Sequence, residues 1–535
     1  MSEQTLDHSQ PLTHRQILVI LSGLLTGMLL AALDQTIVST ALKRIVEDFN
    51  GLEHYSWVVT AYLLTSTAMT PLYGKISDIY GRRHVFQFAI IVFLIGSALA
   101  GASQSMTQLI FFRALQGIGA GGLMSLTFAI IGDIIPPRDR GKYQGYFGAV
   151  WGLSSVAGPL LGGFFSDRTT LLGVSGWRWI FYINLPFGLI ALIVTSLVLH
   201  VPSVRQNHKV DYVGALIMVA GTSSLLMALS YAGPTYGWTD IWTGIYGTVG
   251  VLLTIAFIVW EGRAAEPILT LTLFRNDVFR VTSIVGFIVG AGMFGAIVML
   301  PLYMQVVKGA TATESGLKLL PMMLGIMSMS VWSGKRITAT GQYRIYPIAG
   351  TVVMTIGLMS LLLLQIDTPY WQIALSMLLV GGGLGLNMQT LTIAVQNAVE
   401  FKYMGVATSA ATFFRSLGSA FGTAIFGAVL TGKLTDHLTE QFTALAKHDP
   451  AVLKGFNPAQ MQSFSTNTEA VAKLPVQIKD AVLQAFVDTF HNVFLLAVPV
   501  TVIAFIFALR IPHVKLQTSE EHAQARAEAA AEALG

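Results

Sequence analysis

The ten residues GKISDIYGRR, positions 74 to 83, gather Lys75, Arg82, Arg83 and one carboxylate, Asp78, around Gly74 and Gly81. On either side lie mainly apolar runs, 55–73 and 84–103, of about the 20 residues that a helix needs to cross a hydrocarbon core roughly 30 Å thick. A basic loop clamped between two such runs reads as the short connection between membrane-spanning helices.

Composition extends that reading to the whole chain. Of 535 residues, 53% are apolar and only 11% charged, against about a quarter charged in a soluble domain. The net charge of +4 is small, and the basic residues are scattered between apolar segments, so nothing resembles a stripe that could follow a nucleic acid backbone. With no cysteine, disulfides, thiolate chemistry and cysteine-held metals are excluded. No nucleotide-binding G-x-x-x-x-G-K-[ST] loop occurs, histidines show no metal spacing, and no nucleophile with a base is evident, which argues against ATP drive, metal chemistry and a membrane hydrolase. The expectation is no cofactor, with a proton gradient as the energy source.

Fourteen spans are expected, near 17–42, 55–73, 84–103, 108–134, 143–166, 179–200, 212–232, 241–260, 281–307, 315–333, 345–365, 371–398, 403–430 and 487–510. Residues 1–16 are polar, and the apolar run after them is too long for a signal-peptide core, so it is expected to be retained as the first span. Lys75, Arg82, Arg83, Arg138, Arg140, Lys142, Arg205, Lys209, Lys335, Arg336 and Arg344 fall on one set of short loops, and the positive-inside rule puts that side, with both termini, in the cytoplasm of a multi-pass cell-membrane protein. The long segment 432–486 is expected as an extracytoplasmic loop, in which LPVQIKDAVLQAF is either an amphipathic stretch on the membrane surface or ordinary loop. The tail 511–535 reads as a solvated cytoplasmic end.

The chain also resembles itself at a shift of 260 residues. GKISDIYG (74–81) falls on GKRITATG (334–341), and Gly158 and Gly162 fall on Gly418 and Gly422. Weak symmetry of this kind marks transporters built from duplicated halves. The expected organisation is an N-terminal six-helix bundle (17–200), two extra helices (201–266) and a C-terminal six-helix bundle (267–510).

Residues 74–83, LDQTIVSTAL in the first span, FFRALQGIGAG in the fourth, GPLLGG in the fifth and WRWIFYINLP entering the sixth together resemble the major facilitator superfamily and, within it, the fourteen-helix drug:proton antiporter family, over about residues 15–510. The chain departs from that family at Ser154, where another glycine is usual. The resemblance implies the major facilitator fold, an all-α polytopic membrane protein of two six-helix bundles plus two central helices. It implies that Asp78, Arg82 and Arg83, with Gly74 and Gly81, form a cytoplasmic gate, and that Gly158, Pro159, Gly162 and Gly163 make the bent, closely packed fifth helix of exporters. Close packing alone would also account for those glycines.

Charges within the spans point to the chemistry. Asp34 lies about 26 Å along the first span and Arg113 roughly 8 Å below the outer end of the fourth, which runs the other way. A carboxylate and a guanidinium at one depth can pair, and intramembrane ionisable groups mark ion or substrate paths. A carboxylate there can be charged or neutral, depending on water access and its distance from the arginine. Asp34 and Arg113 are therefore the proton-coupling candidates. Their alternative readings are a helix-end hydrogen bond and a snorkelling residue. Gln116, Glu314, Asn387, Gln389, Gln396 and Arg415 are candidates for a substrate cavity. Glu314 could equally be a solvated cap and the amides could be helix-helix glue. Arg415 lies deep and requires a partner.

The expected function is proton-coupled secondary active export of amphipathic, often cationic, toxic compounds by a monomeric drug:proton antiporter in the lipid bilayer, a multidrug efflux activity that would confer antibiotic resistance. Export of an endogenous lipid or metabolite, and a non-transporting membrane enzyme or receptor, are the alternatives.

Overall fold

The structure is a computed structural model and describes residues 14–49, 55–135, 139–166, 168–199, 211–230, 239–265, 267–400, 403–448, 474–514 and 516. The expected N-terminal tail up to residue 13, Arg138, Arg205, Lys209 and the tail beyond residue 516 lie outside the described residues.

The N-terminal half consists of α1 (His14–Phe49), α2 (Tyr55–Tyr80), α3 (Arg82–Ala102), α4 (Met106–Ile134), α5 (Gln144–Ser166), the single turn α6 (Trp179–Tyr182) and α7 (Asn184–Val198). Between α5 and α6, Thr170–Leu171 and Val174–Ser175 form a minimal antiparallel hairpin. Helices α8 (Tyr212–Ser230) and α9 (Ile241–Glu261) follow and pack on each other. The C-terminal half consists of α10 (Asp277–Val306), α11 (Ala312–Lys318), α12 (Leu320–Thr340), α13 (Ile345–Leu361), α14 (Tyr370–Ala398), α15 (Met404–His448) and α16 (Val476–Ala508). Each expected span contains a helix, and among the described residues eleven helices are long and apolar enough to cross a membrane. Prolines persist inside α2, α5, α10 and α16, as membrane helices tolerate when neighbours re-satisfy the freed backbone groups.

Three expected boundaries change. Residues 74–80 are not loop; they are the last turns of α2, and the break falls at Gly81, whose φ of 89° suits glycine alone. Gly341, its counterpart at the shift of 260, ends α12 with φ 70°. The segment expected as a loop over 432–486 is helical at both ends. Residues 432–448 continue α15, residues 476–486 open α16, and 449–473 lie outside the described residues. The amphipathic stretch packs on protein: Ile478, Val482, Leu483 and Phe486 share one apolar cluster with Leu434, Leu438 and Phe442. Gln441 bonds Asp488 at 3.3 Å and Asn492 meets His437 at 2.8 Å, tying the two helices together.

The two halves pair their helices alike. In the first, α2 with α4, α3 with α4, α1 with α5, α1 with α7 and α3 with α7 are in contact; in the second, α12 with α14, α13 with α14, α10 with α15, α10 with α16 and α13 with α16 repeat the scheme. Glycines set these approaches. A Cβ on Gly117, Gly119 or Gly121 of α4 would come within 2.4 Å of, in turn, the Tyr62 carbonyl, the Phe93 amide or the Ser66 carbonyl. On α14, Gly381, Gly383 and Gly385 meet Met322, Gly350 with Met354, and Ile326 in the same way, at 2.0–2.6 Å. Backbones this close maximise van der Waals contact where no hydrophobic effect operates between helices. The resulting cores are separate, one in the C-terminal half and two in the N-terminal half. A fourth cluster, including Leu72, Met218, Phe257, Phe279 and Met404, ties α8 and α9 to both.

Candidate functional site

Asp34 of α1 is fully buried and forms an ion pair with Nη1 of the equally buried Arg113 of α4. The same Nη1 donates to Gln116 Oε1 at 2.7 Å, and Gln116 Nε2 donates to Asp34 Oδ1 at 2.8 Å. Residues i and i+3 of one helix turn thus hold both carboxylate oxygens. Asn184, the first residue of α7, adds a donor from Nδ2 to Asp34 Oδ1 at 3.2 Å and to Ser97 Oγ of α3 at 3.0 Å. Arg113 Nε donates to the Val58 carbonyl of α2 at 3.3 Å, and its guanidinium carbon lies 4.2 Å from the centre of the Tyr62 ring, a cation-π contact strengthened by desolvation. Five helices therefore converge on one carboxylate. On α4 the cluster lies roughly 10 Å in from Met106 at 1.5 Å per residue, towards the end of the bundle remote from Asp78.

A second ionic cluster closes the Asp78 end. Arg82 Nε donates to Asp133 Oδ2 of α4 at 2.6 Å, its Nη1 pairs with Asp78 Oδ1 at 2.6 Å, and Ser77 Oγ accepts from it as well. The cluster rests against the C-terminal half. A Cβ on Gly405, at the start of α15, would stand 2.5 Å from both Arg82 Nη1 and Asp78 Oδ1, and one on Gly74 would stand 2.6 Å from Ser409 Oγ. Two glycines on facing helices thus let α2 and α15 touch. Arg83 does not join this cluster; it turns to the Ser196 carbonyl of α7 at 2.6 Å, within its own half.

The amides expected in a substrate cavity are placed differently. Gln116 belongs to the Asp34 cluster. Gln396 of α14 bridges the halves, accepting from Arg140 Nη1 at 2.7 Å and donating to the Phe128 carbonyl at 3.0 Å. Arg140 also donates to the carbonyls of Ile135 and Gly132, and burial pushes its guanidinium down to about 9 while the Asp133 carboxylate acts the other way. Asn387 bonds back to Gly383 within its own helix and Gln389 is buried. Glu314 is a cap: with Thr311 it forms the capping box of α11. Arg415 remains half-buried, its guanidinium carbon 5.8 Å from the centre of the Phe128 ring of α4.

The fifth helix packs as close-contact residues should. Gly158 and Gly162 of α5 lie on Thr36 and Thr40 of α1, Pro159 abuts Gly316 of α11, and Gly163 is half-buried. Ser154 takes its place in this seam, its carbonyl accepting from Thr36 Oγ1 at 2.9 Å. Gly418 and Gly422 of α15 make the matching contacts with Phe287 and Ala291 of α10.

Sequence reading missed Tyr62, Ser97, Asn184, Asp133 and Gly405. The available signals were an asparagine opening a span in FYINLP and a glycine opening another in MGVATS. Among the described residues, no group of His, Asp and Glu is placed to hold a metal ion.

Comparison with known proteins agrees with this architecture. An uncharacterized MFS-type transporter of Mycobacterium tuberculosis is 40% identical over 503 residues, 93% of this chain and 70% of that protein. The multidrug transporter protein MdtP of Bacillus subtilis is 37% identical over 96% of this chain and 97% of its own length. Among solved structures, the proton:xylose symporter XylE superposes with a TM-score of 0.60 at 15% identity, covering 95% of this chain and 98% of that one, which speaks to the fold. Residues 24–423 match the Major Facilitator Superfamily. With its paired halves, buried charge clusters and transporter relatives, the chain belongs to the Major Facilitator Superfamily and is a multi-pass membrane transporter, not an enzyme.

Proposed function

We propose that this protein is a proton-coupled secondary active exporter of amphipathic compounds, working by alternating access of its two halves. The observation that carries this reading is the Asp34 cluster, a carboxylate with no exposed surface paired with an arginine inside the N-terminal half. Ionised, Asp34 holds Arg113, Gln116 and Asn184 around it; protonated, it loses the charge that keeps them there, so α1, α3, α4 and α7 are free to repack. The Asp78–Arg82–Asp133 latch against Gly405 supplies the second element, a closed end that opens when α2 and α15 part. Relatives named as multidrug transporters support efflux as the direction.

The membrane potential contributes about 2.3 kcal/mol per proton per 100 mV, so one carboxylate cycling between the two sides suffices to concentrate a solute. The Asp78 end, rich in Lys and Arg, faces the cytoplasm in this reading, fourteen helices span the membrane, and the transporter works as a monomer. The two acids expected to favour cations are both engaged, since Asp34 is paired and Glu314 is a cap.

Purified protein in liposomes with an imposed pH gradient tests the proposal. The wild type is expected to exchange protons for an amphipathic dye, and Asp34→Asn to lose the exchange while still binding the dye. Exchange by Asp34→Asn at the wild-type rate would show that this carboxylate is not the proton switch.

A further inference from the structure

Arg415 is a charge the proposed cycle does not use. It stands about 17 Å along α15 from Met404 at 1.5 Å per residue, near the middle of a hydrocarbon core roughly 30 Å thick. Among the described residues it makes no ion pair and no side-chain hydrogen bond, and its guanidinium carbon lies 5.8 Å from the centre of the Phe128 ring. Among the described residues no carboxylate is paired with it. Helices α12, α13 and α14 carry no Asp or Glu, and the next acid along α15, Asp436, is about 31 Å further on. Asp277 of α10 pairs with Arg280 and Asp488 of α16 accepts from Gln441 and Gln484. Across the interface, Asp133 is held by Arg82 and Asp34 by Arg113.

Unpaired cations in the membrane interior are costly and face a bundle interior or a water-filled path. Arg415 fits that rule, since it is only partly buried although it lies far from either end of the helix, and its guanidinium reaches across to Phe128 of α4 in the other half. Arginine presents a planar fork of donors that matches a carboxylate, sulfonate or phosphate. Among the described residues the buried charges Asp34, Arg82, Arg113, Asp133 and Arg140 already have partners, which leaves this fork for a solute.

We propose that Arg415 is an anion-binding site on the translocation path, so that the preferred substrates are amphipaths bearing an ionised acidic group, alone or with a cationic one, whose apolar body lies beside Phe128. This deepens the exporter reading, on which it rests, and names the substrate class.

The test uses three probes with one apolar body, pyrenebutyrate, its primary amide and pyrenebutylammonium, bound at equilibrium to full-length protein in detergent. A charge-assisted hydrogen-bond pair predicts that the wild type prefers the carboxylate to the amide by roughly 10-fold or more. Arg415→Gln is expected to erase this preference while keeping the affinity for the amide, and Arg415→Lys, which keeps the charge but not the fork, to fall between. Retention of amide binding shows that the variant is folded. If Arg415→Gln does not fold, the Arg415→Lys shift carries the test alone. The proposal is overturned if the wild type binds carboxylate and amide alike, or if the variants bind the carboxylate as tightly as the wild type. No gradient is applied, so this result is independent of whether Asp34 couples protons.

Discussion

Val285, Met377 and Val380 in the C-terminal half occupy the places that Asp34, Arg113 and Gln116 hold in the N-terminal half. The correspondence follows from the repeated close contacts. Gly117 to Gly121 of α4 match Gly381 to Gly385 of α14, and Thr36 under Gly158 matches Phe287 under Gly418. All six side chains are buried. At the latch the same holds: counted from Gly81 and Gly341, Asp78 and Arg82 become Thr338 and Gln342. Arg415 breaks the pattern in the other direction, since Ser155 stands in its place, bonded to its own helix at 2.9 Å. The duplicated frame is thus kept by backbone contacts, while among the described residues the buried ion pairs Asp34–Arg113 and Asp78–Arg82–Asp133 sit in one half and Arg415 in the other. If the Asp34 cluster is the switch proposed above, the apolar counterpart in the C-terminal half gives it a partner with no charge of its own to respond at that place.

Exchanging the two chemistries is the severest way to break this comparison. Val285→Asp should destabilise the protein by about 3–5 kcal/mol as a buried unpaired charge, and adding Met377→Arg should recover part of the loss. Arg113→Met alone should cost a similar 3–5 kcal/mol or so by stranding Asp34, whereas the double variant Asp34→Val with Arg113→Met should return to near wild-type stability yet lose proton exchange. Thermal unfolding in detergent measures all four, and a mild Val285→Asp would mean that the two sites are not equivalent.

Smaller steps sharpen the same point. Gly121→Ala and Gly385→Ala should each cost about 1–3 kcal/mol by overpacking, and by similar amounts, because they meet the same kind of backbone contact. Gly405→Ala should spend a comparable 1–3 kcal/mol or so against the latch alone, loosening the Asp78 end. Labelling of a cysteine introduced nearby reads this out cleanly, since the chain has none of its own. Faster labelling is expected; unchanged labelling would remove Gly405 from the gate. Least of all, Gly341→Ala should cost about 1–2 kcal/mol for its left-handed φ 70° and ψ 6°, and Gly81→Ala, at φ 89° and ψ 140°, about 1–3 kcal/mol, so the Gly81 variant is expected to show the larger shift in unfolding temperature.

Much of this was legible in sequence. The helices followed from apolar runs of membrane length, and the Asp34–Arg113 pair from matching depths on antiparallel spans, because rise per residue converts position directly into depth. Gln116 was assigned to a cavity because depth says nothing of azimuth, although its i+3 spacing from Arg113 placed it on the same face. Asn184 and Gly405 went unread for a different reason: their meaning depends on which helices are neighbours, and a single sequence does not order helices in a bundle. The glycines of α4 and α14 repeat at a shift of 264, not 260, so one fixed offset passed over them. The 432–486 segment falls outside the apolar runs of membrane length and so reads as loop, whereas a helix there carries its charges on one face and packs Leu434, Leu438 and Phe442 on the other.

Helix α15 has 45 residues, about 67 Å of continuous rod at 1.5 Å per residue, more than twice the depth of the hydrocarbon. One end carries Gly405 under the latch, Arg415 lies about a quarter of the way along, and the far end is braced by the opening turns of α16. Such a rod is a lever. Whatever tilts it at the Gly405 end swings its far tip, so under the exporter proposal an antibody fragment clamped around His437 and Gln441 is expected to slow transport from a point distant from Arg415.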